Sequence, residues 1–553
     1  MSDSPTTSNT YDKIIVGGGS AGCVLARRLS EDTSTRVLVL EAGRPDYRFD
    51  FRLHMPAALT YPLANRTYNW WYESGPEPNL NGRRVYQPRG KVLGGSSSIN
   101  GMIFIRGNPM DYDQWAKIPG LESWSYAHVL PYFKRLEDRL IGSDDYRGTG
   151  GPLHLETPDC DNPLFDAFFQ AAQEAGYPLT DDVNGFQQEG FGRFDRTTFR
   201  GRRFNAARAY LHPVLERQNL TVKCQVLVRR IVFEKKRAVG VEIIEGGKTK
   251  IIRGEEIICC GGAINSPQLL QISGVGNPSL LEPLGINVIH ELRGVGESLE
   301  DHAEVYVQYA CTKPVSLYPA LKWWRQPWIG FKWLFGRTGI GASNHFEAGG
   351  FIRSNDEVAY PNLQYHFLPI AIRYNGTSAL KGHGYQVHVG PVRSDVRGHV
   401  RIVSQDPTKH PEIVFNYLST PKDRKEWIEA IRCTRTIMEQ DALTPFRGEE
   451  LAPGPSVQTD DEILAFVHKE LESAYHPSCT CKMGTHDMAV TDHDMNVHGL
   501  QGLRVVDASV MPTITNGNIY APVLMIAEKA ADIIAGNTPL EPIDLPYYRK
   551  PGV

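Results

Sequence analysis

A glycine-rich turn near the start of the chain has the spacing of a dinucleotide-binding site. Gly17, Gly19 and Gly22 form a G-x-G-x-x-G pattern, and Glu41 follows a second apolar run. Glycine permits a tight turn and lets the backbone approach a pyrophosphate, while the N-terminus of the following helix directs N–H groups towards the phosphates. A carboxylate about 20 residues further on can accept hydrogen bonds from a ribose. The pattern predicts dinucleotide binding without deciding between FAD and NAD.

The elements around this turn are those that would position it. Lys13–Val16 is a short apolar run, Cys23–Leu29 has a helical pattern, and Val37–Leu40 reads as a second buried strand. Together they predict a βαβ unit. The segment 503–536 returns to a strand followed by a helix. We therefore expect a nucleotide domain that is assembled from discontinuous pieces of the chain.

Composition narrows the class of protein. A chain of 553 residues is long for a single core, so two intertwined domains are expected. The net charge of −4 argues against nucleic acid as a partner. Nine scattered cysteines, no secretory signal and no apolar run long enough to span a membrane favour a reduced, cytoplasmic protein with free thiols. The polar residues 1–10 are expected to be disordered.

Three further motifs carry a family resemblance. Residues 90–101 read GKVLGGSSSING, and residues 262–276 read GAINSPQLLQISGVG. Near the C-terminus, Tyr475-His476-Pro477 precedes the segment 506–518. In this order, over nearly the whole chain, these motifs resemble the signatures of the glucose–methanol–choline (GMC) oxidoreductases.

The resemblance implies an α/β fold with two domains. One is a Rossmann-like FAD-binding domain of the GMC type, expected over residues 11–155, 200–313 and 471–540. The other is a discontinuous α+β substrate-binding domain built on an antiparallel sheet, expected over residues 156–199 and 314–470.

The resemblance also implies FAD as the cofactor. Some choline oxidases attach the flavin covalently through a histidine just before the asparagine of the first signature. Ile99 occupies that position here, so we expect non-covalent FAD. The residues expected to bind it are Gly17, Gly19, Ser20, Gly22, Glu41, Ala42, Gly94, Gly95, Ser96, Asn100, Gly101, Val228, Asp507 and Asn518.

Alcohol oxidation needs a proton acceptor that is neutral near pH 7, which suits imidazole. By resemblance His476 is this base, and Tyr520 stands at the second catalytic position, which is normally His or Asn. A phenol is a poor base, so Tyr520 is expected to position the substrate oxygen, unless Asn518 reaches in instead. His476 with Cys479 and Cys481 lacks a fourth zinc ligand, and no metal is expected.

Segments 45–52, 316–321 and 341–353 resemble the choline-oxidising members of the family. This implies oxidation of choline to betaine aldehyde, with glycine betaine as a further product, and it places a substrate-binding glutamate at Glu347. A quaternary ammonium is best held by aromatic faces and a carboxylate; Tyr61, Trp70, Trp71 and Tyr475 are the candidate walls. The alternatives are a GMC enzyme for an uncharged primary alcohol and a non-redox hydroxynitrile lyase.

A basic, tryptophan-rich segment at 322–333 has two interpretations. It is either a lid or core element over the site, or a surface that makes peripheral contact with the cytoplasmic face of a membrane. The second would suit delivery of electrons to a quinone. The sequence does not decide the electron acceptor.

Overall fold

The computed structural model describes residues 10–373 and 376–550. The expectation of disorder for residues 1–9 lies outside this range, whereas Thr10 begins the first strand. The α-helices of the described residues are Ser20–Leu29, Phe51–His54, Thr60–Leu63, Pro109–Trp115, Tyr126–Leu136, Pro163–Glu174, Gly262–Ile272, Pro278–Leu281, Gln326–Gly336, Pro421–Met438, Asp460–Glu470 and Tyr520–Ala535.

Seven strands form a sheet that we call the cofactor sheet. Its order is Leu220–Cys224, Val37–Glu41, Thr10–Val16, Lys248–Cys259, Arg237–Glu245 and Val226–Glu234, and Leu503–Val505 pairs with Lys248–Cys259. The first four strands and Leu503–Val505 are parallel, while the last two add antiparallel pairs. The predicted βαβ unit is confirmed, because the two strands that flank Ser20–Leu29 pair in parallel.

A second, antiparallel sheet of seven strands is called the substrate sheet. Its order is Arg447–Ala452, Ala303–Cys311, Gly384–Pro391, Leu363–Leu368, Ala348–Ile352 and Gly190–Arg193, and Glu472–Ser473 pairs with Ala303–Cys311. One face is apolar and buries valine, tyrosine and phenylalanine side chains against the long helix Pro421–Met438 and its neighbours. Because side chains alternate along a strand, Glu304, His366 and His388 of the central strands lie on the opposite face.

The sheets do not follow the expected domain boundaries everywhere. Ala303–Cys311 and Glu472–Ser473 belong to the substrate sheet, although both fall inside ranges expected for the FAD-binding domain. The expected boundaries at 313/314 and 470/471 therefore separate these two strands from the rest of their sheet.

Two helix starts show how local sequence fixes the elements. The Asn162 side chain accepts a hydrogen bond from Leu164 N at 3.0 Å, and Pro163 stands at the first helical position. Thr459 and Glu462 form a reciprocal capping box. All nine cysteines are free thiols, and within the described residues no helix is long and apolar enough to cross a membrane.

Candidate active site

A cavity of about 380 Å³ lies between the two sheets. Its wall begins at the glycine turn, with Gly17 and Glu41, and ends at His476, Asn518 and Glu304. One continuous space therefore joins the predicted nucleotide site to the predicted base.

The turn is packed so closely that only glycine fits. A Cβ on Gly22 would lie 1.9 Å from the Gly17 carbonyl oxygen, and a Cβ on Gly95 would lie 2.7 Å from Gly19 Cα. Gly94, with φ of 89°, donates its N–H to the Gly18 carbonyl at 2.7 Å. The two glycine loops thus form one cradle with exposed backbone, as a bound pyrophosphate requires.

Glu41 lies at the end of its strand and holds the turn. Its two carboxylate oxygens accept hydrogen bonds from Gly18 N at 2.9 Å and Gly43 N at 2.7 Å. Burial nevertheless raises the pKa of this carboxyl to about 7, although both hydrogen bonds oppose the shift. The side chain also lines the cavity, where a ribose hydroxyl could reach it.

Asp507 forms a second anchor at the carboxyl end of the parallel strands. One of its oxygens accepts from Gly262 N at 2.8 Å and from Ser266 Oγ at 2.6 Å, and the other accepts from Ser509 N at 2.8 Å. Burial raises the pKa of this carboxyl. The aspartate fixes the N-terminus of the helix Gly262–Ile272 beside the cavity.

The predicted cofactor-binding residues gather in one place. Gly22 and Gly94 do not line the cavity and act through backbone packing. The others all lie in its wall: Gly17, Gly19, Ser20, Glu41, Ala42, Gly95, Ser96, Asn100, Gly101, Val228, Asp507 and Asn518.

His476 stands in a loop with a strained backbone. The preceding Tyr475 has φ of 67°, a left-handed conformation that is rare for a bulky residue. Its carbonyl accepts from Arg89 Nη2 at 2.6 Å, and His476 N donates to Asp301 Oδ1 at 2.7 Å. The Asp301 carboxylate also accepts from Tyr417 Oη at 2.6 Å. Surrounding polar groups thus impose the conformation that brings the imidazole to the cavity.

Hydrogen bonds fix the proton on His476. His302 Nε2 contacts the Val392 carbonyl at 3.1 Å, and a carbonyl can only accept, so this nitrogen carries the proton of neutral His302. Its Nδ1 then accepts from His476 Nδ1, which lies 3.1 Å away. His476 Nε2 is left with a lone pair, to which Asn518 Nδ2 donates at 3.2 Å.

The electrostatics agree with a neutral imidazole. Burial lowers the pKa of His476 well below its ordinary value, and His302, Arg89 and His366 lower it further. Burial also lowers the pKa of His302 to about 3. Near neutral pH the site therefore contains an uncharged base whose Nε2 lone pair faces Asn518.

Asn518, rather than Tyr520, contacts this base. Its carbonyl oxygen accepts from Gln364 Nε2 at 3.0 Å, which turns the amide nitrogen towards His476. Tyr520 lines the cavity as the first residue of the last helix, but its buried hydroxyl makes no hydrogen bond of ordinary geometry within the described residues. Of the two candidates, Asn518, two residues earlier, contacts the imidazole and Tyr520 does not, so this geometry does not support the expectation for Tyr520.

The polar face of the substrate sheet supplies residues that motif matching missed. Glu304 and Tyr306 alternate with valines along Ala303–Cys311, while His366 and His388 face each other on the next strands. All four side chains line the cavity. The Glu-Val-Tyr-Val alternation at 304–307 was the available sequence signal, since it predicts a strand with a single polar face.

Glu304, not Glu347, is the carboxylate of this wall. Glu347 does not line the cavity; its carboxylate is paired with Arg196 at 3.3 Å and hydrogen-bonded to Ser343. Glu304 Oε1 lies 3.1 Å from His388 Nδ1. Burial opposes ionisation of the Glu304 carboxyl, whereas the hydrogen bond from His388 favours the ionised form. The expectation for Glu347 is corrected on this geometry.

Only half of the predicted aromatic walls line the cavity. Trp70 and Tyr475 do, whereas Trp71 contacts Tyr86 and Tyr61 is half exposed. Two aromatic side chains that were not predicted, Tyr306 and Phe346, complete the wall near Glu304. The residues close to the carboxylate come from strands and loops far apart in sequence.

Two family models match the chain, both described as GMC oxidoreductase, over residues 11–304 and 394–527. The chain belongs to the GMC oxidoreductase family. GMC oxidoreductases are FAD-dependent. The cradle fits this cofactor, because its glycines leave backbone exposed along a cavity that reaches the base at its other end. The predicted family and fold class are confirmed.

Several relatives are similar over nearly the full length. A protein of Staphylococcus xylosus named oxygen-dependent choline dehydrogenase is 58% identical over 546 residues, 98% of this chain and 97% of its own. A Pseudomonas fluorescens protein of the same name is 58% identical over 97% of this chain and 96% of its own. Among solved structures, pyridoxine 4-oxidase from Mesorbium loti is 32% identical with a TM-score of 0.87, over 96% of this chain and 100% of that chain.

Proposed function

We propose that this protein oxidises choline to betaine aldehyde and, through the hydrated aldehyde, on to glycine betaine. The observation that carries the proposal is the position of a partly buried carboxylate, Glu304, in the same cavity as the neutral base His476. A cation and a hydroxyl on one small molecule match these two groups. The names of the similar proteins support the same substrate.

The chain's own residues account for the proton. His476 Nε2 takes the proton of the substrate hydroxyl, and Asn518 Nδ2, which contacts that nitrogen, donates a hydrogen bond to the substrate oxygen. The pair His302–His476 keeps the lone pair on the cavity side. FAD, when bound, supplies the acceptor for the substrate's hydride.

The cation is held by charge and by aromatic faces. Glu304 provides the negative charge, and Tyr306, Phe346, Trp70 and Tyr475 provide apolar and π surfaces in the same wall. A quaternary ammonium cannot donate a hydrogen bond, so this combination suits it better than a polar pocket would.

The FAD is proposed to be non-covalent. Ile99 lies in the cavity wall immediately before Asn100 and offers no nucleophile. Acid precipitation of the holoenzyme tests this, since non-covalent flavin stays in the supernatant. Flavin that remains with the precipitate would contradict the proposal.

Anaerobic reduction of the flavin tests the substrate directly. Choline should bleach the flavin, and 3,3-dimethylbutan-1-ol, which has the same shape without the charge, should do so with a much lower kcat/KM. Equal efficiency would favour an enzyme for uncharged alcohols, and no bleaching by either alcohol would favour a non-redox member. Reoxidation with oxygen or with a quinone then identifies the acceptor.

We further propose that the Trp-rich surface, residues 322–337, contacts an anionic membrane. Just before the helix Gln326–Gly336, Trp323 is 77% exposed, and within the helix Trp328 is 58% and Phe335 73% exposed. Residues 305–346 include five lysines and arginines and no acidic residue. Exposed aromatics interleaved with cations suit the headgroup region of a bilayer with anionic lipids.

This surface lies next to the cavity. Ile340–Ala342, just after the helix, contacts Pro56–Ala58, and the following Leu59 and Thr60 line the cavity. A docked enzyme would therefore have this part of the cavity wall close to the bilayer, as transfer of electrons to a lipid-soluble quinone requires. We propose the cytoplasmic face, in line with the free thiols.

Vesicle flotation tests the membrane proposal. The holoenzyme should float with vesicles that contain phosphatidylglycerol and much less with pure phosphatidylcholine. The double variant Trp323→Ser, Phe335→Ser should lose most of this binding and keep its activity with a water-soluble acceptor. Ile141→Ser, at a side chain that is 64% exposed outside this surface, is the matched control. Equal flotation of all three proteins would overturn the proposal.

A further inference from the structure

A second row of polar residues on the substrate sheet lies behind Glu304. Gln386 and His388 are two residues apart on Gly384–Pro391, so both side chains lie on one face. Across the strand pair, Gln308 faces Gln386, and Tyr306 faces His388. The rings of Tyr306 and His388 are stacked, with their centroids 3.8 Å apart. The proposed mechanism leaves Gln308, Gln386 and His388 without a role, although Gln386 and His388 are buried.

The main chain fixes the orientation of both glutamines. Ile372 N donates to Gln386 Oε1 at 2.8 Å, and a backbone N–H can only donate. The Ile372 carbonyl accepts from Gln308 Nε2 at 2.7 Å, and Gln308 Nε2 also donates to Gln386 Oε1 at 2.7 Å. The amide nitrogen of Gln386 is therefore the atom that points towards His388.

This orientation decides which nitrogen of His388 is protonated. Gln386 Nε2 lies 2.7 Å from His388 Nε2 and donates to it, so that ring nitrogen carries no proton. The single proton of the imidazole is on Nδ1, which lies 3.1 Å from Glu304 Oε1 and donates there. A neutral donor thus holds the carboxylate without cancelling its charge.

We infer that Gln386 keeps His388 in the neutral, Nδ1-protonated form, and that His388 thereby positions a fully charged Glu304 for the substrate cation. His388 and Gln386 are positioning residues that set specificity for a charged substrate. The inference rests on the proposed function, in which Glu304 faces the ammonium group. An imidazolium at residue 388 would compete with that cation for the same carboxylate.

The isosteric variant Gln386→Glu should change the preference for choline in opposite directions, depending on whether His388 is neutral or protonated in the parent enzyme. Its carboxylate still accepts from Ile372 N and Gln308 Nε2, but it can no longer donate, so His388 Nε2 gains a proton. The measured quantity is the ratio of kcat/KM for choline to kcat/KM for 3,3-dimethylbutan-1-ol. We expect the ratio to fall about tenfold, mainly through the KM for choline. Were His388 already charged, the added carboxylate would raise the ratio; a rise or no change overturns the inference.

Two further variants keep the test decisive if Gln386→Glu folds poorly. His388→Gln retains a neutral donor, so the ratio should stay within about threefold of the parent value. If His388 were charged, this variant would remove a positive charge and the ratio would rise about tenfold. Such a rise would overturn the inference. In a Glu304→Gln background, Gln386→Glu should leave the ratio unchanged within about twofold, because its effect passes through Glu304. A full effect there would mean that Gln386 acts on the substrate by another route.

The parent enzyme separates this inference from the function on which it rests. If the unmodified protein does not prefer choline to the uncharged alcohol, the proposed function fails whatever the variants do. If it does prefer choline and Gln386→Glu keeps that preference, only the role of Gln386 and His388 fails.

Discussion

The two ends of the cavity differ in how their lining residues are distributed along the chain. At the cofactor end, one short turn supplies Gly17, Gly19 and Ser20 to the wall, and the neighbouring strand adds Glu41. At the substrate end, Glu304, His366 and His388 come from three strands that are far apart in the chain. A site in which the ligand contacts backbone can be predicted from a short local motif. A site in which the ligand contacts side chains from several strands depends on the register of the sheet.

The cofactor end should be the more sensitive to a single methyl group. In Gly22→Ala the new Cβ would lie 1.9 Å from the Gly17 carbonyl oxygen. The turn must move to relieve that overlap. We expect this to lower the stability of the protein by about 3 kcal/mol or more, at the upper end of the range for overpacked sites. We expect purified protein with little or no FAD, measured by flavin absorbance per chain.

Gly330→Ala is the matched control. Gly330 lies inside a helix, and its added Cβ would have no neighbour within 4 Å. Its FAD content should be unchanged and its stability equal or higher by up to about 1 kcal/mol. Full FAD occupancy in Gly22→Ala would mean that the turn is not the rigid cradle described above.

His476→Ala should give the largest kinetic effect that leaves the cofactor end intact. Removal of a general base costs about 10²–10⁴-fold, so flavin reduction by choline should slow by that factor. FAD content should not change, because no turn residue is touched. Anaerobic stopped-flow absorbance measures the rate of flavin reduction, and the starting absorbance gives the FAD content. A variant that keeps more than half of the parent rate would contradict the assignment of His476 as the base.

Glu304→Gln and Glu347→Gln separate the two candidate carboxylates. Loss of the charge at Glu304 should lower kcat/KM for choline about 10–100-fold, corresponding to about 1.4–2.8 kcal/mol, and leave kcat/KM for the uncharged alcohol nearly unchanged. Glu347 is paired with Arg196 outside the cavity, so its variant should keep the preference for choline. The reverse order of effects would restore Glu347 as the substrate-binding residue.

These contrasts explain how far the sequence could predict the site. The turn at Gly17–Gly22, Glu41 and His476 could be placed because each lies in a contiguous motif whose chemistry is local. Glu304 was missed because its partners His388 and His366 become neighbours only through strand register. Resemblance alone placed the glutamate at Glu347, although the alternation around Glu304 was visible in the chain.

The exchange of Tyr520 for Asn518 has a different origin. The two residues are only two positions apart, on either side of the start of the last helix. The helix begins at Tyr520, while Asn518 remains in the preceding loop and reaches His476. A helix boundary, which sequence places only to within a few residues, decided which side chain faces the base.

The smallest expected effect concerns pH. Burial lowers the pKa of His476, so the base stays neutral well below pH 6.5, where an exposed histidine would take up a proton. The hydrogen bond from His388 favours the ionised form of Glu304, so we expect the cation site to stay charged in the same range. We expect kcat/KM for choline to change by less than about twofold between neutral pH and pH 6.5. The first group of the loop to titrate is Asp301, whose pKa burial raises to about 6, so activity should begin to fall near that pH as the hydrogen bond to His476 N weakens. A fall in kcat/KM for choline that is centred at or above pH 6.5 would mean that the imidazole is solvated. The substrate end would then lack the buried, neutral base that distinguishes it from the cofactor end.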